Sequence, residues 1–210
     1  MRDPVICIGR QYGSAGREIG EKVAAWLGIP CYDKFLVKKA AEESGLSLAA
    51  LTKADETPSA SLWFLSGNPI ADTAGIASAF YSDSQIAYDA ERRVIEQLAG
   101  QGPCVIIGRG ASDILRRKNN CFSVFLYADK EARLRRVMDR NKIGAQEAER
   151  RIRQVDKLRR RYFDSYASTP WGQPDSYDLM IASDRYGVEG CADLILSSIG
   201  LLKEGTVSHE

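Results

Sequence analysis

The sequence predicts an α/β protein in which a mainly parallel sheet is covered by helices on both faces. Short apolar runs alternate with helix-like segments along most of the chain. Apolar runs of roughly four to eight residues are typical of strands that are buried on both sides. Two of these runs end in glycine-rich turns, and sheets of this class bind ligands at the carboxyl ends of their strands. We therefore expect a three-layer α/β/α fold with a ligand site at that edge.

The predicted elements follow from the apolar runs and from residues that start or stop helices. Strands are predicted at 5–8, 104–107, 122–127 and 177–181, with a turn and a short strand at 28–33. Helices are predicted at 17–27, 34–44, 85–99, 129–140, 144–166 and 188–202. Gly28 and Gly45 are expected to end the first two helices, and Asp129 is expected to cap a later one. The stretch 52–84 mixes prolines and glycines with aromatic residues, which predicts short helices and loops.

Composition indicates one ordinary domain without a strongly charged partner. The chain has 210 residues, 44% hydrophobic and 27% charged, with a net charge of +1. We expect a single domain over 1–203 with an insert at about 52–84, an arginine-rich lid at about 141–166 and a tail at 204–210. Five cysteines without a CxxC pair predict the reduced thiols of a cytoplasmic protein. The single histidine, His209, lies in the tail, so no metal-ligating cluster is expected, and no segment is long enough to span a membrane.

The turn after the first strand has the layout of a phosphate-binding loop. It reads Gly13-Ser14-Ala15-Gly16-Arg17-Glu18 and leads into a predicted helix. Glycines let the backbone approach an anion closely, and a helix N-terminus offers free N–H groups with a partial positive charge. A tight strand-to-helix turn without a ligand is the alternative, and both interpretations fit the residues.

This loop departs from the pattern GxxxxGK[ST], whose lysine reaches the phosphates and whose hydroxyl binds Mg²⁺. Two registers are open. In the first, Arg17 takes the lysine position and Glu18 the hydroxyl position, so that Arg17 would hold a phosphate by two parallel hydrogen bonds. In the second, Gly16 falls on the lysine position and the lysine is lost. In both, the metal-binding hydroxyl is missing unless Ser14 or a water replaces it.

Two further segments supply arginines. Arg109 lies between two glycines at the end of a predicted strand, where its guanidinium would clamp a phosphate or pair with a surface acid. In the predicted lid, Arg153, Asp156 and Arg160 share a helix face. Phosphoryl transfer requires cations that converge on the transferred group. A solvated helix with internal salt bridges is the alternative, and a nucleic-acid partner is disfavoured because the basic run lacks interleaved aromatic residues.

Asp33 follows the short strand predicted at 28–33. A carboxylate beside a phosphate loop can accept the proton of a substrate hydroxyl or hold Mg²⁺ through water. The alternative is an N-cap for the helix predicted at 34–44, and position alone slightly favours this alternative.

Taken together, these residues resemble the cytidylate kinase-like family, a branch of the P-loop nucleoside monophosphate kinases. The resemblance extends over nearly the whole chain, and its motifs are 8–19, 28–33, 105–110, 153–159 and 177–181. It implies a P-loop fold with an arginine-rich helical lid, and a kinase that uses ATP and Mg²⁺.

The resemblance also implies roles for single residues. The donor phosphates would lie against Gly13, Ser14, Ala15, Gly16, Arg17 and Glu18. Catalysis would depend on Arg17, Arg153, Arg159 and Asp33, and the acceptor would be bound by Asp33, Arg109 and Asp156. No protein side chain is assigned as a metal ligand.

Two classes of function are open at this point. The first is an ATP-dependent kinase that phosphorylates a nucleoside monophosphate or a similar small acceptor. The second is a non-catalytic nucleotide sensor or regulatory module, because the loop lacks the lysine and the hydroxyl. Core packing, an acceptor pocket and a homodimer interface are three interpretations of the aromatic residues Trp63, Phe64, Phe80 and Tyr81.

Overall fold

The computed structural model describes residues 3–33 and 74–201, and the chain divides into two units. The first unit comprises Met1–Lys34 and Leu98–Glu210, and the second comprises Phe35–Gln97. The helix predicted at 34–44, most of the stretch 52–84, and the tail lie outside the described residues, as do the four aromatic side chains of that stretch.

A five-stranded parallel sheet forms the centre of the first unit. Its strands are β1 (Val5–Arg10), β2 (Cys31–Tyr32), β3 (Cys104–Ile107), β4 (Cys121–Tyr127) and β5 (Leu179–Ala182). Their order across the sheet is β2-β3-β1-β4-β5. In β1, Ile8 is the register partner of Ile107 on one side and of Val124 on the other. The parallel sheet predicted from the apolar runs is therefore confirmed, and its central strand is apolar because it has a neighbour on each edge and a layer on each face.

Six helices and one 3₁₀ turn are described. They are α1 (Gly16–Leu27), α2 (Ala74–Gln101), α3 (Ala111–Ile114), α4 (Lys130–Asn141), α5 (Ala145–Tyr166), the turn Pro174–Ser176 and α6 (Ser183–Leu201). Gly28 ends α1 in the left-handed conformation, and Asp129 caps α4 by accepting a hydrogen bond from the N–H of Ala132 at 2.6 Å. The predicted end of α1 at Gly28 and the predicted N-cap of α4 at Asp129 are therefore both confirmed. None of the helices in the described ranges is long and apolar enough to cross a bilayer.

Two helix boundaries differ from the prediction. Helix α2 begins at Ala74 rather than at residue 85, because the residues from 74 onward include several alanines and no proline, and these tolerate a helix despite Gly75. Helix α6 begins at Ser183 and breaks at Gly187, which has φ 66° and ψ −174°. The predicted start at 188 therefore marks only the part of α6 beyond the break.

Apolar clusters hold helical layers against both faces of the sheet. On one face, α1 and α6 pack on the strands through a large cluster that includes Ile6, Ile8, Ile19, Val23, Val124, Leu126, Cys191 and Ile195. On the other, Phe125 packs with Phe163, Trp171 and Tyr177. A third cluster of Val137, Ala148 and Ile152 joins α4 to α5, with Tyr12 packed against it. Because Tyr12 belongs to the glycine loop, this last cluster fixes the α4–α5 pair beside the loop.

Candidate phosphate-binding site

The glycine loop turns sharply between β1 and α1. Gly13 has φ 87° and Ala15 has φ 59°, so the chain takes two left-handed steps before the helix starts at Gly16. A Cβ at Gly13 would lie 3.0 Å from the carbonyl oxygen of Arg133, so the turn also requires glycine for space. The N–H of Gln11 donates to the carbonyl of Leu126 at 2.9 Å and fixes the loop to the end of β4. The first N–H groups of α1 therefore open at the carboxyl edge of the sheet, where an anion would meet them.

Ser14 lies inside this loop and faces the protein. Its side chain is fully buried, and its Oγ lies 2.9 Å from the carbonyl oxygens of Gln11 and of Leu126. A single hydroxyl proton serves one of these acceptors at a time. In this conformation the hydroxyl stabilises the turn by hydrogen bonding to main-chain carbonyls, and it does not point toward the solvent side, where a metal would bind.

We expect Ser14→Ala to lower the free energy of unfolding by about 1–2 kcal/mol, because a buried hydrogen bond is lost and a carbonyl is left with fewer partners. Mg²⁺-dependent nucleotide binding should stay unchanged. Urea denaturation measures the first effect, and Ser197→Ala on the exposed side of α6 is the control. Loss of Mg²⁺ dependence at unchanged stability would instead assign the metal to Ser14.

Arg10, the last residue of β1, lies at the centre of the site. The added Cβ of an alanine at Gly16 would fall 2.7 Å from the Arg10 Cβ, and that of an alanine at Gly108 would fall 1.9 Å from the Arg10 Nη1. The side chain therefore extends from the start of α1 to the turn after β3. Burial, together with Arg159 and Arg109, lowers the pKa of Arg10 to about 9, whereas Asp33 acts in the opposite direction. Arg10 keeps its proton at neutral pH, but in surroundings that hold excess positive charge.

Arg109 enters the same site from the end of β3. The turn that carries it is fixed by the N–H of Gly108, which donates to the carbonyl of Ile8 at 3.0 Å. Arg109 itself is left-handed, with φ 57°. Its charge is one cause of the lowered pKa of Arg10, and the Arg10 guanidinium lies against Gly108, the residue that precedes Arg109.

Arg159 reaches the site from α5. Its Nη1 donates to the carbonyl of Arg10 at 3.0 Å, and its guanidinium lies over the ring of Tyr12, 5.6 Å from the centroid. Arg140 of α4 lies 5.0 Å from the same ring. Burial lowers the pKa of Arg159, while Asp156 and Tyr12 oppose that shift. The structure thus places Arg159 against Arg10, and Arg10 against the turn that carries Arg109.

Asp156 connects the loop to both helices of the α4–α5 pair. Its Oδ1 accepts from the N–H of Tyr12 at 2.7 Å, and its Oδ2 pairs with Arg133 of α4. The side chains of Arg133 and Asp156 are only 13% and 17% exposed. Arg133 also donates to the carbonyl of Tyr12 at 3.3 Å. Asp156 is therefore engaged within the protein through both carboxylate oxygens.

Two arginines of the predicted lid face point elsewhere. Arg153 is 69% exposed and pairs with Glu149 at 3.1 Å, and Arg160 lies 5.5 Å from the centroid of the Trp171 ring. The face that α5 turns toward the loop carries Asp156 and Arg159. Of the three residues predicted from their spacing to share a face, Arg153, Asp156 and Arg160, only Asp156 has a contact with the loop among those described here.

Arg17, Glu18 and Asp33 lie at the rim of the site. Arg17 is 65% exposed, with its Nε 2.8 Å from Glu21 and its Nη1 3.5 Å from Asp33. The hydrogen bond to Glu21 raises the pKa of Arg17. Glu18 pairs with Arg136 of α4 at 3.0 Å. None of these contacts directs the Arg17 guanidinium over the loop.

The sequence interpretation missed Arg10 and Arg133. A signal for Arg10 was available, since Gly9-Arg10 at the end of β1 repeats the pattern Gly108-Arg109 at the end of β3. Adjacent parallel strands bring such repeats side by side. Arg133 gave no such signal, because it is one of several arginines on α4 and only the packing of α4 on α5 selects it.

A parallel sheet of this strand order, with a glycine loop between its central strand and the following helix, defines the α/β class of P-loop kinase-like folds. The chain belongs to the cytidylate kinase-like family, whose sequence model matches residues 5–185. No curated protein matches the chain significantly. The family suggested by the sequence motifs is thereby confirmed.

Solved structures show the same fold. An uncharacterized protein from Eubacterium ventriosum matches with a TM-score of 0.72 and 24% identity, covering 95% of this chain and 99% of that chain. Shikimate kinase from Bacteroides thetaiotaomicron matches with a TM-score of 0.55 and 13% identity over 94% and 99% of the two chains. Shikimate kinase from Acinetobacter baumannii, in complex with shikimate, matches with a TM-score of 0.52 and 15% identity, covering 95% of this chain and 96% of that chain.

Proposed function

We propose that the protein is an ATP-dependent phosphotransferase that acts on a small acceptor such as a nucleoside monophosphate. The observation that carries this proposal is the convergence of Arg10, Arg109 and Arg159 on one glycine loop. Phosphoryl transfer spreads negative charge over the oxygens of the transferred group, and its catalysis depends on positioned cations. A structural turn alone would not require three guanidinium groups to be close together, because their mutual repulsion is unfavourable.

The two substrates would lie on opposite sides of this arginine cluster. The donor phosphates would lie against the loop from Gly13 to Glu18, where the N–H groups of α1 are free. The acceptor would bind near Asp33 and Arg109. For an acceptor that attacks through a hydroxyl, Asp33 would accept its proton, whereas the phosphate oxygen of a nucleoside monophosphate needs no such base. Arg159 would contact the transferred group. We assign to Asp156 the positioning of the loop, and no role to Arg153, which pairs with Glu149 on the outer side.

The residues present fit a magnesium ion that is held mainly by the donor. Mg²⁺ keeps several waters and binds through one or two carboxylates together with substrate phosphates. Asp33 offers one carboxylate at the sheet edge, with its side chain 16% exposed. Within the two described ranges, no group of three acidic, histidine or cysteine side chains could hold a metal by itself. When bound, the ion would neutralise phosphate charge, and Asp33 would hold it through water.

An assay of ATP-dependent phosphorylation over nucleoside monophosphates and shikimate tests this function. We expect Mg²⁺-dependent formation of ADP with at least one acceptor, together with the phosphorylated acceptor. If the protein binds ATP but no acceptor gives turnover, the function is non-catalytic. If it binds neither ATP nor inorganic tripolyphosphate, the phosphate site itself is wrong.

The second candidate function is a nucleotide sensor. It is favoured by one specific observation: the loop has no lysine, and its only hydroxyl faces inward toward two carbonyls. A sensor would bind ATP, seen as an increase in melting temperature, and transfer no phosphate to any acceptor in the same panel.

Arg17→Ala separates the two loop registers. Because the Arg17 guanidinium is exposed and paired with Glu21 and Asp33, we expect its removal to change the affinity for ATP by less than about fivefold, as for an exposed ion pair. Isothermal titration calorimetry measures this change. A loss of ATP affinity well above tenfold would support the first register, in which Arg17 takes the lysine position.

A further inference from the structure

Two glycines of the site face a single side chain. Gly16 borders the Cβ and Cγ of Arg10, at 2.7 and 2.8 Å from the position an alanine Cβ would take. Gly108 borders the guanidinium of Arg10, at 1.9 Å from Nη1 by the same measure. A side chain at either position would displace Arg10. Both glycines therefore provide the space that Arg10 occupies.

The Arg10 guanidinium has charged side chains from three other parts of the chain among its neighbours. In the part of the chain that the structure describes, no carboxylate or carbonyl forms a hydrogen bond or ion pair with it. Its charged neighbours are Arg159 from α5, Arg109 from the turn after β3 and Asp33 from the end of β2, with the hydroxyl of Tyr177 also near. Two of these charged neighbours are themselves arginines, and an anion with several oxygens would accept hydrogen bonds from more than one guanidinium.

We propose that Arg10 binds the donor phosphates in place of the lysine that the loop lacks, a proposal that rests on the function proposed above. In the second loop register the lysine position is Gly16, and the stem of Arg10 lies against that glycine. In this proposal, the cation that contacts the donor phosphates comes from the end of β1 rather than from the start of α1. Its planar fork can donate two parallel hydrogen bonds to a phosphate, which an ammonium cannot do.

Calorimetric titration with ATP and with inorganic tripolyphosphate tests the proposal without relying on turnover. Arg10→Ala should weaken both by about tenfold to a hundredfold, the range of charge-assisted hydrogen bonds. Binding of adenosine should be unchanged. Lys22→Ala is the control, since it removes one positive charge from α1 where Lys22 pairs with Glu189 on the surface. Affinities for ATP and tripolyphosphate that match the wild type would overturn the proposal.

A second variant keeps the test decisive if Arg10→Ala fails to fold. Arg10→Gln retains part of the stem against Gly16 and removes the charge, and it should lose affinity for tripolyphosphate in the same range. Arg10→Lys should keep more affinity than Arg10→Gln, because it preserves the charge without the fork. Equal affinities of the wild type, the lysine variant and the glutamine variant would exclude Arg10 from phosphate binding.

The shared space between Gly16 and Arg10 has its own readout. Gly16→Ala should destabilise the wild-type protein, because the added Cβ would lie 2.7 Å from the Arg10 Cβ and 2.8 Å from its Cγ. This cost should fall in the Arg10→Gly background, which removes both atoms, whereas alanine would keep the Cβ, and the difference gives a measurable coupling in a double-mutant cycle. Equal costs in both backgrounds would refute the shared space.

If the wild type binds ATP without turnover, the kinase function fails while Arg10 is still tested by binding. If turnover occurs and Arg10→Gln binds ATP normally, only the Arg10 proposal fails.

Discussion

Asp156→Ala is expected to lower the free energy of unfolding by about 2–4 kcal/mol and to abolish most of the affinity for ATP. Removing one partner of a largely buried ion pair leaves the other charge uncompensated, which costs about 3–5 kcal/mol when burial is complete. Arg133, at 13% exposure, would become that unpaired charge, and its buried Nε already has no hydrogen-bond partner among the residues that the structure describes. Tyr12 would lose the acceptor of its N–H, so the loop would lose one of its contacts with α5.

Asp156→Asn separates the two contributions of this carboxylate. The asparagine can still accept from the N–H of Tyr12, but it no longer neutralises Arg133. We expect it to lose stability while keeping more nucleotide affinity than the alanine variant. Urea denaturation and calorimetry measure the two effects, and Asp139→Ala on the exposed side of α4 is the control. If Asp156→Ala unfolds with a change below about 1 kcal/mol, the pair is not a structural link between loop and lid.

The parallel sheet could be predicted because buried strands have a local signature. The first four residues of β1, all of β3 and the first six residues of β4 are buried, and apart from Ser123 these residues are apolar. Gly28 and Asp129 mark helix ends by backbone geometry and capping, which are also local properties. The start of α2 was harder to predict, because glycine and small residues near position 75 suit both a loop and a helix.

Charge spacing alone does not select the residues of α5 that meet the loop, since of Arg153, Asp156 and Arg160 only Asp156 has a hydrogen bond to it among the described residues. Arginines occur all around this helix, so a three- and four-residue spacing can be found on several faces. The apolar positions carry the information instead, since Ala148, Ile152 and Phe163 are buried. A stripe drawn through these residues passes Asp156 and Arg159, the two that contact the loop. Charged residues on a helix are therefore best assigned to faces after the apolar stripe has been found.

The position of Arg10 depends on contacts that are distant in sequence. The predicted strand ends at residue 8, which leaves Arg10 without a role, and Arg17 is the candidate for the lysine position in one of the two registers because it follows the glycine directly. Whether a guanidinium turns into the site or along its own helix depends on its neighbours, and for Arg17 these are Glu21 one turn later and Asp33 after β2. The sequence thus indicates that glycines and arginines lie at this edge of the sheet, whereas the contacts that distinguish Arg10 from Arg17 require the structure.

Gly9→Ala is expected to destabilise the protein by about 2–3 kcal/mol, at the upper end of the cost of overpacking a core. An added Cβ would lie 2.8 Å from the Tyr177 Cε1 and 2.9 Å from the Phe125 Cδ2. These rings are rigid and packed on each other with centroids 4.8 Å apart, and Phe125 also meets Trp171 edge-on at 5.2 Å. Neither ring can move aside without disturbing the cluster behind it.

The damage should also reach the phosphate site, because Gly9 directly precedes Arg10 and a shift of β1 would move its guanidinium. We therefore expect weaker binding of tripolyphosphate in Gly9→Ala, measured by calorimetry at a temperature where the variant is folded. Gly200→Ala is the matched control: no atom lies within 4 Å of its added Cβ, and alanine is the better helix former, so stability should be unchanged or slightly higher. If the two glycine variants are equally stable, the aromatic rings can make room for a Cβ at residue 9. The packing of these rings would then not determine the position of Arg10.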